Sequence, residues 1–138
     1  MKKSMLMISA ITVGLLTTAP AFAEMIAFKA VLNGASQTPP ADTKATGTAD
    51  IKVDTVAKTI TWTIKSADLT GTPTAAHFHG PAAVGASADP EIDISQMIDT
   101  GTAPITDAQL ADLQAGMVYV NIHTEKFPNG EIRGQVVK

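Results

Sequence analysis

The sequence predicts an all-β domain, an antiparallel β-sandwich or Greek-key barrel with one short helix. Apolar and polar residues alternate with period two in several short stretches, the pattern of strands buried on one face. Gly, Pro and Asn-Gly pairs separate those stretches, as turns require. A single segment, Thr106 to Gly116, carries both a helix start and a helix stop.

Met25 to Leu32 places Ile26, Phe28, Ala30 and Leu32 on one face and reads as the first strand. Asn33-Gly34 follows as a pair suited to a turn with positive backbone angles. Ala35 to Lys44, with Pro39-Pro40 and little apolar content, reads as a loop. Thr46 to Val53 is the second strand, with Ala49, Ile51 and Val53 inward. Asp54 to Ala57 makes a turn into Lys58 to Lys65, where Ile60, Trp62 and Ile64 face inward between outward threonines. Trp62 has the chemistry to stack on a ligand, but its two isoleucine neighbours place it in the core.

Ala75 to Pro81 (AAHFHGP) is a further strand, ended by Gly80-Pro81. Ala82 to Ala103, rich in Ala, Gly, Ser and Asp, reads as an excursion with a short strand near Ile92 to Ile98. Asp89, Glu91 and Asp93 alternate there in a way that could bind calcium, yet the glycine-centred spacing of an EF-hand loop is missing, which favours solvated carboxylates. Thr106 and Gln109 form a capping-box pattern, Leu110 and Leu113 share a face, and Gly116 ends the helix. Met117 to Thr124 and Glu131 to Val137 then pair as a hairpin around Asn129-Gly130.

Met1 to Ala23 stands apart from this fold. Lys2 and Lys3 precede an apolar run, Met5 to Leu16, and Ala21-Phe22-Ala23 gives the small-x-small pattern of a cleavage site. The expectation is an export signal, a mature single domain from Glu24 to Lys138, a periplasmic or secreted location, and no membrane span after cleavage. Without Lys2 and Lys3, eight basic residues stand against thirteen acidic ones, a net charge of −5. That balance argues against nucleic acid as a partner. With no cysteine in the chain, neither a disulfide nor a thiolate ligand is available.

The chemistry concentrates on one predicted sheet face. His77, His79 and His123 are all the histidines of the chain. Parity sends His77 and His79 away from Phe78. It sends Tyr119, Asn121 and His123 away from Val118, Val120 and Ile122, and Glu131, Arg133 and Gln135 away from Ile132 and Val136. Three imidazoles on one face suit copper(II) or zinc, with an open position for another ligand. Glu131 is the candidate additional ligand or acceptor that fixes a histidine tautomer, followed by Tyr119, Asn121 and Arg133. The alternative is a solvated polar face in which Glu131 and Arg133 pair across strands. Converging ring nitrogens, about 3 to 4 Å apart around a point some 2.1 Å from each, would distinguish the two.

HFHGPA at His77 to Ala82, followed by AGMVYVNIHT and PNGEIRGQV, resembles the CHRD domain, named for its occurrence in chordin and found in secreted bacterial proteins. The likeness to a stand-alone secreted bacterial member runs from FKAVLNGASQTPP at Phe28 through Val136. It implies an extracytoplasmic β-rich module. In chordin such repeats belong to an extracellular antagonist of bone morphogenetic proteins, but the cysteine-rich modules that accompany them there have no counterpart here.

Three functional classes follow: a metal-binding protein, a protein- or glycan-interaction module without metal, and a copper-dependent enzyme. The sheet is expected to be immunoglobulin-like or superoxide-dismutase-like, which supplies the analogy for the third. Copper/zinc dismutases, however, use more histidines than these three and a disulfide this chain cannot form. No nucleophile motif, phosphate loop or paired-carboxylate arrangement supports catalysis. The reading is a binding protein, not an enzyme.

Overall fold

The computed structural model of the protein describes residues 22–138. The expected leader lies outside them save for its last two residues. Eight strands form one antiparallel sheet: β1 (Met25–Asn33), β2 (Thr46–Asp54), β3 (Thr59–Ala67), β4 (Pro73–His79), β5 (Pro90–Asp93), β6 (Thr100–Pro104), β7 (Tyr119–Thr124) and β8 (Ile132–Gln135). Their order across the sheet is β5-β4-β7-β8-β1-β2-β3-β6. One helix, α1 (Asp107–Gln114), lies between β6 and β7.

The sheet curls until its ends nearly meet, giving a barrel-like fold. Residues 95–99 bridge the gap. Ile94 N–H donates to Ala76 O on one side and Ile64 N–H to Asp99 O on the other, at 3.0 and 2.8 Å. Inside, Trp62 of β3 meets Phe78 of β4 edge to face, 5.8 Å between centroids. Trp62 is buried, and its Nε1–H donates to Met97 O of the bridging segment at 2.9 Å. Its indole therefore serves the core and the closure of the barrel together.

Period-two alternation builds these strands as expected. Phe28, Ala30 and Leu32 of β1, Ala49, Ile51 and Val53 of β2, and Ile60, Trp62 and Ile64 of β3 are buried between more exposed neighbours. Asp54 accepts from Val56 N–H and Ala57 N–H to make the β2–β3 turn. The capping box of α1 forms in full between Thr106 and Gln109, Leu110 and Leu113 are buried, and Gly116 follows at φ +71°.

Three expectations need correction. Asn33-Gly34 is no positive-φ turn. Asn33 instead caps a short 3-10 turn, Gly34–Ser36, with its Oδ1 accepting from Ser36 N–H. The strand expected near Ile92 to Ile98 runs from Pro90 to Asp93, because Asp93 Oδ1 accepts from Ser95 N–H and turns the chain. β6 occupies a stretch read as irregular; TGTAP pairs with β3 on one side only and carries no strong apolar alternation.

Candidate metal centre

The β4–β7 register sets the site. Ala75 lies opposite His123, His77 opposite Asn121, and His79 opposite Tyr119. Side chains directly across a ladder share a face, so His77, His79 and His123 project together, away from Phe78, Val120 and Ile122. His79 is buried at 6% exposure, while His77 and His123 are partly exposed. One nitrogen of each ring lies within 4.8 Å of one nitrogen of each of the others.

Hydrogen bonds decide which nitrogens are free. His79 Nδ1 is 2.9 Å from Ala88 O, and His123 Nδ1 is 2.9 Å from Pro128 O. A carbonyl only accepts, so both Nδ1 atoms carry the ring proton and both Nε2 atoms carry a lone pair. His79 Nε2 is buried with no hydrogen-bond partner. His77 Nδ1 lies 3.3 Å from His123 Nε2, a contact in which His77 must donate. The other nitrogen of His77, Nε2, faces Asp93 Oδ1 at 3.9 Å. A single exchangeable proton thus separates this arrangement from three inward lone pairs. Moving it from Nδ1 to Nε2 of His77 turns it toward a carboxylate.

Metal–nitrogen bonds of about 2.1 Å place ligand nitrogens about 3.4 to 3.6 Å apart. The His77–His123 pair already meets that spacing. The widest separation needs to contract by roughly 1 Å, within the reach of side-chain rotation. Burial lowers the His77 pKa from 6.5, helped by the neighbouring His123 and opposed by Asp93. His79 is also lowered, chiefly by burial, against the raising effect of its bond to Ala88. Both effects favour the neutral imidazole, which is the ligating form.

The supporting residues divide. The Tyr119 ring stacks on His79, with centroids 4.7 Å apart and planes 8° from parallel. Its hydroxyl donates to Ala88 O at 3.1 Å, the same carbonyl that holds His79. Arg133 lies with its guanidinium carbon 3.5 Å from the Tyr119 centroid, on β8, and donates to Ala86 O. Asn121 takes no part in holding a histidine among these bonds. Its Oδ1 accepts from Gln37 Nε2 at 2.7 Å.

Glu131 is not at the site, which corrects its expected role as ligand or tautomer-fixing acceptor. β8 begins one residue later, at Ile132, so strand parity does not govern Glu131. Its carboxylate is fully buried and accepts from the hydroxyls of Thr43, Thr70 and Thr124 at 2.7, 2.9 and 2.7 Å, and from Thr70 N–H at 3.0 Å. Burial pushes its pKa up, but these bonds together hold it below the ordinary 4.5. The expected Glu131–Arg133 pair does not form. The acceptors that do fix the histidines are Ala88 O and Pro128 O, with Asp93 beside His77. Main-chain carbonyls leave no trace in residue identity, whereas Asp93 becomes visible once β5 is paired with β4, opposite His77.

A family model described as the CHRD domain matches residues 28–136, a span that contains His77, His79 and His123 and the side chains packed around them. No curated protein and no solved structure matches the chain.

Proposed function

Starting from the fact that this chain belongs to the CHRD domain family, we propose that it is a binding protein for a transition metal, copper or zinc, held by His77, His79 and His123. The single observation that carries the reading is the buried Nε2 of His79, a lone pair without a partner among two further imidazoles. A buried acceptor left unpaired costs about 1–3 kcal/mol, and a cation bound there removes that cost. Imidazole donors suit both copper and zinc. The ligands would be His79 Nε2, His123 Nε2 and His77 Nδ1, with the first two rings oriented by carbonyl acceptors on their Nδ1 atoms, as metal-binding histidines commonly are, and His77 Nε2 facing Asp93 at 3.9 Å.

Export to the periplasm or beyond, inferred from the leader pattern at Met1 to Ala23, would put the protein where it meets metal outside the cytoplasm. Among the described residues no helix is long and apolar enough to cross a membrane. The role is binding for storage, delivery or protection, rather than catalysis.

A second reading has its own observation. Pro39, Pro40, Phe127 and Pro128 line a groove of about 250 Å³ next to His123, a surface suited to a protein or glycan partner without metal. Calorimetric titration with zinc(II) and copper(II) of the protein and of its His77→Ala/His79→Ala variant separates the two. Tight one-to-one binding lost in the variant supports the metal site. Binding that is weak, or unchanged in the variant, refutes it and leaves the groove.

A further inference from the structure

We propose that the cluster selects an ion of low charge, monovalent copper, and that Arg133 sets the preference. The inference rests on the metal-binding reading and adds the charge state of the ion. Its basis is the set of charges around the three histidines. No carboxylate belongs to the cluster among the described residues. Glu131 is committed to Thr43, Thr70 and Thr124. Asp93 lies beyond the outward nitrogen of His77, with its Oδ1 occupied by the N–H and hydroxyl of Ser95. The donor set is therefore three neutral imidazoles, and a bound ion keeps its whole charge.

The fixed charge stacked toward this set is positive. Arg133, Tyr119 and His79 form a column: guanidinium over phenol at 3.5 Å, phenol over imidazole at 4.7 Å. All three are buried, with Arg133 only 3% exposed. Arg133 donates to Ala86 O, which holds the column in place, and among the described residues no carboxylate lies within 4.0 Å of it. Its guanidinium carbon can be no farther from the His79 ring than those two spacings laid end to end.

Repulsion between this guanidinium and a bound ion scales with the charge of the ion. A divalent ion suffers twice what a monovalent ion does. The one neighbouring carboxylate among the described residues, Asp93, sits 3.9 Å from the outward nitrogen of His77 with its side chain 71% exposed, where solvent screens it far more than the buried Arg133. The donor number points the same way. Zinc completes a fourth position in its protein sites, whereas a d¹⁰ monovalent copper ion is satisfied by three nitrogens in a trigonal arrangement.

The test compares affinity for copper(I), measured without oxygen against a chromophoric chelator, with affinity for zinc(II), measured by calorimetry. The proteins are the wild type, Arg133→Met and Arg133→Lys. The wild type is expected to bind copper(I) more tightly than zinc(II). Arg133→Met should shift the ratio toward zinc(II) by roughly five- to tenfold, and Arg133→Lys, which keeps the charge, should stay within about twofold of wild type. An unchanged ratio in Arg133→Met overturns the proposal while leaving the metal site intact. So does an equal loss of both affinities, which would show that Arg133 only holds the Ala86 segment. Should Arg133→Met fail to fold, the wild type decides: zinc(II) bound as tightly as copper(I) overturns the proposal. If neither ion binds, the metal-binding reading itself falls.

Discussion

Tyr119 and His79 lie face to face and share one acceptor, the carbonyl of Ala88. The stack and the shared bond together fix the ring plane and the tautomer of the most buried histidine. Groups that orient metal ligands in this way typically contribute 10- to 100-fold in affinity. Tyr119→Leu removes both and is expected to weaken metal binding by about that factor. Tyr119→Phe keeps the stack, loses the hydroxyl, and should weaken binding less. Calorimetry on both variants checks the order.

Gly130 is required twice over. Its φ is +120°, and a Cβ there would run into the side chains of Asn121 and Gln37. It also follows Pro128-Asn129, the segment whose Pro128 carbonyl orients His123. Gly130→Ala should therefore cost about 1–3 kcal/mol of stability and weaken metal binding with it. Urea denaturation and titration of the same variant measure the two effects.

Glu131 joins three separated segments through Thr43, Thr70 and Thr124. Glu131→Ala leaves the hydroxyls of the buried Thr124, the half-buried Thr43 and the exposed Thr70 without their acceptor and is expected to cost about 1–3 kcal/mol. The native pKa is held below 4.5, so the unfolded chain binds the proton first on acidification. The stabilisation is fully present above pH 4.5 and is lost as pH falls through the native value. Denaturation midpoints of wild type and Glu131→Ala should converge in that window. A gap that persists unchanged in acid would show that the carboxylate's charge is not what binds the segments.

Metal affinity should depend on pH in a definite direction. Burial lowers the pKa of His77 and of His79 below 6.5, so both remain neutral further into acid than a free imidazole would. Above pH 6.5 their protonation should cost metal binding little. Below it, affinity should fall as pH drops through the two lowered values, with protons released on binding. Titrations in buffers of different ionisation heat read the proton count directly.

Much of the site was legible in the sequence because parity is rigid inside a strand. Phe78 fixed the outward direction of His77 and His79, and Val120 and Ile122 fixed that of His123. The β4–β7 register then brought the three together. Parity failed where the strand had not yet begun. Glu131 precedes β8 by one residue, and its side chain meets Thr124, which shares the Ile122 side, rather than the histidines. β6 was hidden for a different reason: an edge strand of Thr, Gly, Ala and Pro buries little and so shows weak alternation. Gly101 within it is set by packing, since a Cβ there would strike the Trp62 ring. The carbonyls of Ala88 and Pro128 belong to loops, and where a loop carbonyl points depends on backbone geometry that residue identity does not encode.

The most direct test is a crystal structure of the metal-loaded protein with an anomalous difference map recorded at the copper or zinc absorption edge. The expected result is one strong peak about 2.0–2.1 Å from His77 Nδ1, His79 Nε2 and His123 Nε2, with the two Nδ1–carbonyl bonds retained. A peak bound elsewhere, or no peak while the three rings keep their metal-free spacing, would contradict the three-histidine centre.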